Sequence, residues 1–106
     1  MEFDSFNETA LIKNVVYLEL LRRGYEVYSA RIGTMTADFL AVSGKKKICI
    51  QVLPTNGTIS QGQLLRPLHK LSNDIDKILI STKPTKVKNN VENITVTDFL
   101  LNNHHF

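Results

Sequence analysis

The sequence predicts one small α/β domain in which a mixed central sheet is flanked by helices, and three observations lead there. A segment free of Gly and Pro runs from Asn7 to Arg23 with helical character and is closed by Gly24. Runs rich in β-branched and aromatic residues follow at once, at Tyr25–Ala30, Met35–Val42 and Lys47–Leu53. Beyond them, leucines at helical spacing lead to Lys77–Thr82, whose continuous Ile78-Leu79-Ile80 run is the pattern of a strand covered on both faces. Strand, helix and strand then make a parallel crossover on a sheet that begins as an antiparallel meander.

Each element has its own local reasons. Ser5 with Glu8 three residues on forms a capping box for the first helix. On a wheel of about 100° per residue, Leu11, Ile12, Val15, Val16 and Leu18 gather on one side while Lys13 points the other way. Glu19 falls among the apolar residues, with Arg22 and Arg23 within reach of its carboxylate. Ile32-Gly33-Thr34 reads as a turn between the first two strands. Ser43-Gly44-Lys45-Lys46 suits a two-residue type II′ hairpin, with Gly at the first central position. Opposing Ser43 to Lys46 sets a register that puts Asp38 directly across from Gln51, their Cβ atoms ~5 Å apart.

In the second half, Pro54–Gly57 is a loop and Ser60 with Gln63 offers another capping box before Leu64, Leu65, Leu68 and Leu71. Pro67 removes a backbone donor, so it is expected to kink this helix or start a fresh one. Lys83–Asn90 is polar and basic and reads as a loop, Asn93–Val96 as a short edge strand, and Thr97 as the cap of a last helix, Asp98–Asn102.

Composition bounds the rest. With 106 residues, 42% of them hydrophobic, the chain supports one core, so a single domain over 1–106 is expected, its core at about 7–101 and a tail at 102–106. The single cysteine, Cys49, cannot close an internal disulfide, and no charged start followed by an apolar run marks a signal peptide; a reducing, cytoplasmic setting is expected. No apolar run approaches the roughly 20 residues of a bilayer span, so a membrane is not expected among the partners. Thirteen Lys and Arg against ten Asp and Glu give a formal charge of +3, which admits nucleic acid without requiring it. No G-x-x-x-x-G-K-[ST] occurs, so the chain is not itself a P-loop ATPase engine.

Helix, three-stranded meander, helix and strand, in that order, resemble the PD-(D/E)xK nuclease superfamily, whose family pattern is a Glu on the first helix, an Asp on the second strand and (D/E)-x-K on the third. More narrowly, Lys13-Asn14-Val15-Val16-Tyr17-Leu18-Glu19-Leu20-Leu21-Arg22-Arg23-Gly24-Tyr25-Glu26-Val27, Ala37-Asp38-Phe39 and Ile50-Gln51-Val52 resemble the domain of unknown function that closes many prokaryotic AAA-type ATPases. The likeness spans about residues 11–101 and implies a restriction-endonuclease-like core.

It also implies a remnant site at Asp38, Gln51 and Glu19, with Asp38 the strand aspartate and the one candidate metal ligand. Gln51 stands where the family has its second strand acid, Leu53 where it has its lysine, and Lys13 where its helix commonly carries Glu. An amide in place of a carboxylate removes a full charge, and a magnesium-dependent nuclease needs several oxygen ligands around a hard cation. The resemblance therefore implies a non-catalytic interaction or regulatory module, with no cofactor expected. Its partners are DNA, an ATPase domain or other protein, or a second copy of the chain. A divergent nuclease is the alternative, using Mg²⁺, Asp38, Glu19 and a lysine supplied from another position. A structural dimerisation module is the second alternative.

Every candidate also has a structural reading. Asp38 can be a strand carboxylate accepting an amide hydrogen bond from Gln51. Glu19 can be a helix residue paired with Arg22 or Arg23, although an unpartnered acid on an apolar face would have a raised pKa. Cys49 reads as a small buried hydrophobe and His69 as a surface residue, and His104 and His105 are assigned no role. Lys45, Lys46 and Lys47 crowd a hairpin, and Lys83, Lys86 and Lys88 a later loop, as candidate phosphate contacts or as solvated loops.

Overall fold

The computed structural model describes residues 5–32, 35–53, 61–71, 74–83 and 91–101. Its elements follow the expected order: α1 (Ser5–Arg22), β1 (Glu26–Ile32), β2 (Met35–Ser43), β3 (Lys46–Val52), α2 (Gln61–His69), β4 (Asp76–Ser81), β5 (Val91–Thr95) and α3 (Val96–Leu101). The strands form one five-stranded mixed sheet in the order β1-β2-β3-β4-β5. β1, β2 and β3 pair antiparallel, whereas β3, β4 and β5 pair parallel. The expected turn at 33–34, the loop at 54–57, the Ser60 cap and most of the loop at 83–90 lie outside the described residues.

Alternation along the central strands sends side chains to two cores. Ile48, Ile50 and Val52 of β3 and Ile78 and Ile80 of β4 join Val16 and Leu20 of α1 and Phe99 of α3 on one face. Cys49 and Leu79 join Leu65 and Leu68 of α2 on the other. α1 and α3 therefore cover one side of the sheet and α2 the opposite side. β4, buried from Lys77 to Ser81 and flanked by parallel neighbours, is the doubly covered strand that its apolar run predicts.

The hairpin register is as read: Ser43 pairs with Lys46 and Phe39 with Ile50, and Gly44 has a φ of +61°. At the other end of α1, Gly24 has a φ of +92°. Its N–H donates to Leu21 O at 3.0 Å and the Tyr25 N–H donates to Leu20 O at 3.1 Å. This is a Schellman arrangement, and Tyr25 packs on the same core that contains Leu20, the hydrophobic contact that accompanies such caps.

Three expectations are corrected. The buried side of α1 is Thr9, Val16, Glu19 and Leu20, with Ile12 packed beside them, whereas Leu11, Val15 and Leu18 face outward and are exposed. Lys13 consequently points toward the sheet rather than away from it. The wheel misleads because α1 is apolar nearly all round, so its apolar average does not mark the face that packs. Of the two expectations for Pro67, a fresh helix does not start there. The residue lies inside α2, which stops two residues later with Lys70 and Leu71 N–H groups bonded three residues back, to Pro67 O and Leu68 O. Thr95, not Thr97, caps α3: its Oγ1 accepts from the Asp98 N–H at 3.2 Å.

Gly24→Ala tests the cap. An added Cβ would meet nothing within 4 Å, so the cost is conformational alone. A left-handed conformation for an L-residue should lower stability by about 1–2 kcal/mol, read as a lower urea midpoint with unchanged slope.

Candidate functional site

Asp38 sits where β2 departs from regular pairing. Against β1, Tyr28 faces Leu40 and Ala30 faces Ala37, so Asp38 and Phe39 together oppose the single residue Ser29. That is a β-bulge, with one extra residue on β2. Against β3, the ladder stops at Phe39 and Ile50, one pair short of Asp38 and Gln51. Side chains take over from there. The Asp38 N–H donates to Gln51 Oε1 at 2.6 Å, and the Val52 N–H donates to Asp38 Oδ2 at 2.8 Å. The sequence places these residues directly opposite one another on one face; the structure brings them close but outside the ladder, and the expected amide-to-carboxylate bond is replaced by a crosswise exchange in which each side chain serves the other strand's backbone.

The second Asp38 oxygen is also engaged. Lys13 Nζ lies 3.0 Å from Oδ1, in an ion pair whose members are 39% and 18% exposed. One turn further along α1, Tyr17 stacks with Phe39 at a centroid distance of 6.2 Å. The bulge thus turns Asp38 and Phe39 toward the same helix, which supplies a cation to one and a ring to the other. A half-exposed pair of this kind contributes up to about 1 kcal/mol. Its chemical effect is larger than its energetic one, because it gives Asp38 a fixed counter-ion.

Glu19 does not join this group. Arg22 Nε donates to its Oε1 at 2.8 Å and Arg22 Nη2 to its Oε2 at 2.6 Å, while Arg23 Nε donates to Oε2 at 2.7 Å. Arg23 then reaches out of the helix: Nη2 donates to Phe99 O at 2.6 Å, and the guanidinium carbon lies 4.5 Å from the centre of the Phe99 ring. Glu19 and Arg23 therefore tie α1 to α3. The hydrogen bonds from Arg22, opposed by burial and reinforced by Arg23, hold the Glu19 carboxyl down at about 2. The raised value of an unpartnered acid does not arise, and both arginines take the roles between which the sequence leaves the choice open.

Among the described residues, the three candidate metal-facing acceptors are already engaged. The Asp38 carboxylate is shared between an ammonium and a backbone N–H, Gln51 Oε1 already accepts from a backbone N–H, and Glu19 is enclosed by two guanidinium groups. Hard cations need several free oxygens. Among the described residues, no group of three or more His, Cys, Asp and Glu side chains could hold a metal ion.

The remaining candidates fall as follows. Cys49 is buried in the α2-side core, and burial, with help from the Asp38 charge and against that of Lys77, pushes its thiol up to about 11; the thiolate is suppressed at neutral pH. His69 is exposed. Lys45, Lys47 and Lys83 are exposed and Lys46 half-buried, whereas Lys86, Lys88, His104 and His105 lie outside the described residues.

Sequence reasoning misses a polar network at the carboxyl ends of the parallel strands. Asn93 Nδ2 donates to Leu79 O and to Ser81 Oγ, both at 3.0 Å, and the Ser81 hydroxyl donates to Lys83 O at 2.6 Å. Polar residues in β4 and β5 at this end are its signal in the sequence, and its bonds join the two strands to each other and to the chain just after β4. Among the described residues no helix is long and apolar enough to cross a membrane. Compared with family models, curated proteins and solved structures, the chain matches none.

The Glu19 fork predicts a pH dependence. A carboxyl whose folded value is depressed contributes stability that is complete above its unfolded value and is lost as pH falls through the folded one. Native stability should therefore decline between about pH 4.5 and pH 2 in step with Glu19 protonation. Glu19→Gln should cost about 1 kcal/mol at neutral pH, the exposed Arg22 partner being screened by solvent, and flatten that decline, as measured by urea denaturation across the range.

Proposed function

We propose that the chain is a non-catalytic domain of restriction-endonuclease-like design, an interaction or regulatory module that works beside a P-loop ATPase and can rest on DNA. The observation that carries this reading is the ion pair at Asp38. In a working site of this kind, the strand aspartate binds a divalent ion; here Lys13 Nζ stands 3.0 Å from its Oδ1 and answers the charge from within the fold. With Gln51 and Leu53 at the positions of the second acid and the lysine, what remains is a carboxylate engaged in holding β2 to β3 and α1 to the sheet. The topology adds support, since a helix, an antiparallel meander and a parallel crossover are the parts of the family core. Exposed Lys45 and Lys47 on the β2–β3 hairpin offer phosphate contacts of the kind that position without reading sequence.

The divergent nuclease has one observation in its favour, a lysine beside Asp38 that comes from another element. The same lysine weakens it, because an ammonium bonded to the carboxylate competes with the metal that the reaction requires.

Supercoiled plasmid and branched DNA incubated with the protein and Mg²⁺ or Mn²⁺ should stay intact. Nicking by the wild type that disappears in Asp38→Ala would overturn the proposal in favour of the nuclease. In a binding titration on the same DNA, affinity should be weak, should fall steeply as salt rises, and should drop further in a Lys45→Ala/Lys47→Ala variant. Affinity that is absent or indifferent to salt removes DNA from the partners.

Lys13→Glu provides a separate test of the ion pair. Setting two carboxylates side by side should lower Tm by roughly 4–8 °C for a loss of about 1 kcal/mol. Mn²⁺ should then recover that loss in the variant while leaving the wild-type Tm unmoved. A wild type stabilised by Mn²⁺ as strongly as the variant would show that Lys13 does not block the site.

A further inference from the structure

α1 is apolar on two sides, and the sheet covers only one of them. Its outward arc carries Leu11 at 49% exposure, Val15 at 38%, Leu18 at 54% and Leu21 at 42%, with exposed Ala10 and Asn14 among them. These positions follow spacings of three and four, so they line one stripe along the helix. Singly exposed apolar side chains are ordinary, but four on one stripe make a patch, and a helix apolar on both sides is the pattern of one covered on both.

The charges around the stripe indicate its occupant. Among the described residues, Glu8, exposed in the first turn, and Arg22, 63% exposed in the last and bonded on one edge of its guanidinium to Glu19, bound it at its two ends. Lys13 and Glu19 are turned to the sheet side, toward Asp38 and toward Arg22 and Arg23. A stripe with an acid at one end and a base at the other is self-complementary when a second copy lies antiparallel. A twofold axis near residues 14 and 15 brings Leu11 of one copy onto Leu18 of the other and Val15 onto Val15. The same axis sets Glu8 beside Arg22 at both ends. Such an isologous arrangement repeats each contact twice and also opposes the two helix dipoles.

We infer that the outward face of α1 is a homodimer interface in which two copies pair their first helices antiparallel through Leu11, Val15, Leu18 and Leu21. The inference is independent of the proposed function, since neither Asp38 nor the hairpin lysines take part.

Sedimentation equilibrium from low micromolar to millimolar protein should show the mass doubling with concentration, and Leu18→Glu should hold the monomer mass throughout with an unchanged far-UV spectrum. Glu8→Arg should weaken the dimer at least tenfold at low salt and less at high salt. Orientation is read by oxidation of single-cysteine additions, Cys49 being buried. Val15→Cys should form an intermolecular disulfide. Leu21→Cys should not, because antiparallel copies place the two residues about 20 Å apart, beyond disulfide reach. A wild type that stays monomeric at all concentrations overturns the inference and leaves the stripe to a different chain. Cross-linking at Leu21 instead of Val15 overturns the antiparallel arrangement.

Discussion

β3 must be buried on both faces while it bonds to an antiparallel strand on one side and a parallel strand on the other, and most of the architecture follows from that requirement. Its Ile48, Ile50 and Val52 need cover from one direction, and its Cys49 and Gln51 from the opposite one. One layer of helices cannot supply both. The first helix and the last therefore lie on one face, and α2, inserted in the crossover from β3 to β4, lies on the other. The antiparallel side is closed by a two-residue turn and is local in sequence. The parallel side needs a crossover, and the chain between β3 and β4 is where α2 falls. Leu65 and Leu68 give that helix the apolar contact that places it.

The same requirement explains why Asp38 needs so many partners. At the end of the β2–β3 ladder the antiparallel hydrogen bonds stop while β3 continues beside β4, with the Leu53 N–H donating to Ile80 O at 2.8 Å. The β2 edge of β3 still has backbone donors to satisfy there. Val52 finds Asp38, and the Asp38 N–H finds Gln51. Gln51 is 3% exposed, so its side-chain oxygen has little water to turn to and the backbone bond answers it. A carboxylate in this position carries a charge that the backbone N–H alone answers weakly. Lys13 provides the rest, at a distance where an ordinary ion pair forms. Strand geometry, desolvation and charge are thus resolved by three side chains, with one partner on each Asp38 carboxylate oxygen.

How far this could be read from the sequence differs by the kind of interaction involved. That Asp38 comes close to Gln51 is legible because Gly44 fixes a turn, a turn fixes a register, and register counts residues. The crosswise bonds are not, since they depend on the bulge at Asp38 and Phe39, and no residue type announces a bulge here. Glu19 with Arg22 and Arg23 was legible as a pairing because helical spacing alone brings them together. That Arg23 continues to Phe99, separated from it by most of the chain, was not, because it depends on where α3 packs. The orientation of α1 is not legible in the sequence for a related reason. With apolar residues on both sides, amphipathicity does not select a face, and the choice rests on tertiary partners: Lys13 to Asp38, Tyr17 to Phe39 and Arg23 to Phe99.

Those three contacts also explain how an acid can be nine-tenths buried on the packed side of α1. Glu19 is a poor residue for a helix–sheet interface when taken alone, because removing an unpartnered carboxylate from water is costly. Arg22 lies in the last turn of α1 and Arg23 directly after it, where cations also interact favourably with the helix carboxyl end, so the counter-charges come from the same stretch of chain at little extra ordering cost. Arg23, once neutralised, can lay its guanidinium over the Phe99 ring and bond the carbonyl of the same residue. The polar group is therefore the adaptor through which α1 grips α3, and this grip fixes the rotation of α1. Rotation in turn decides that Lys13 meets the sheet and that Leu11, Val15, Leu18 and Leu21 do not. The Lys13–Asp38 ion pair on one side of α1 and the apolar stripe on the other are two consequences of a single helix orientation.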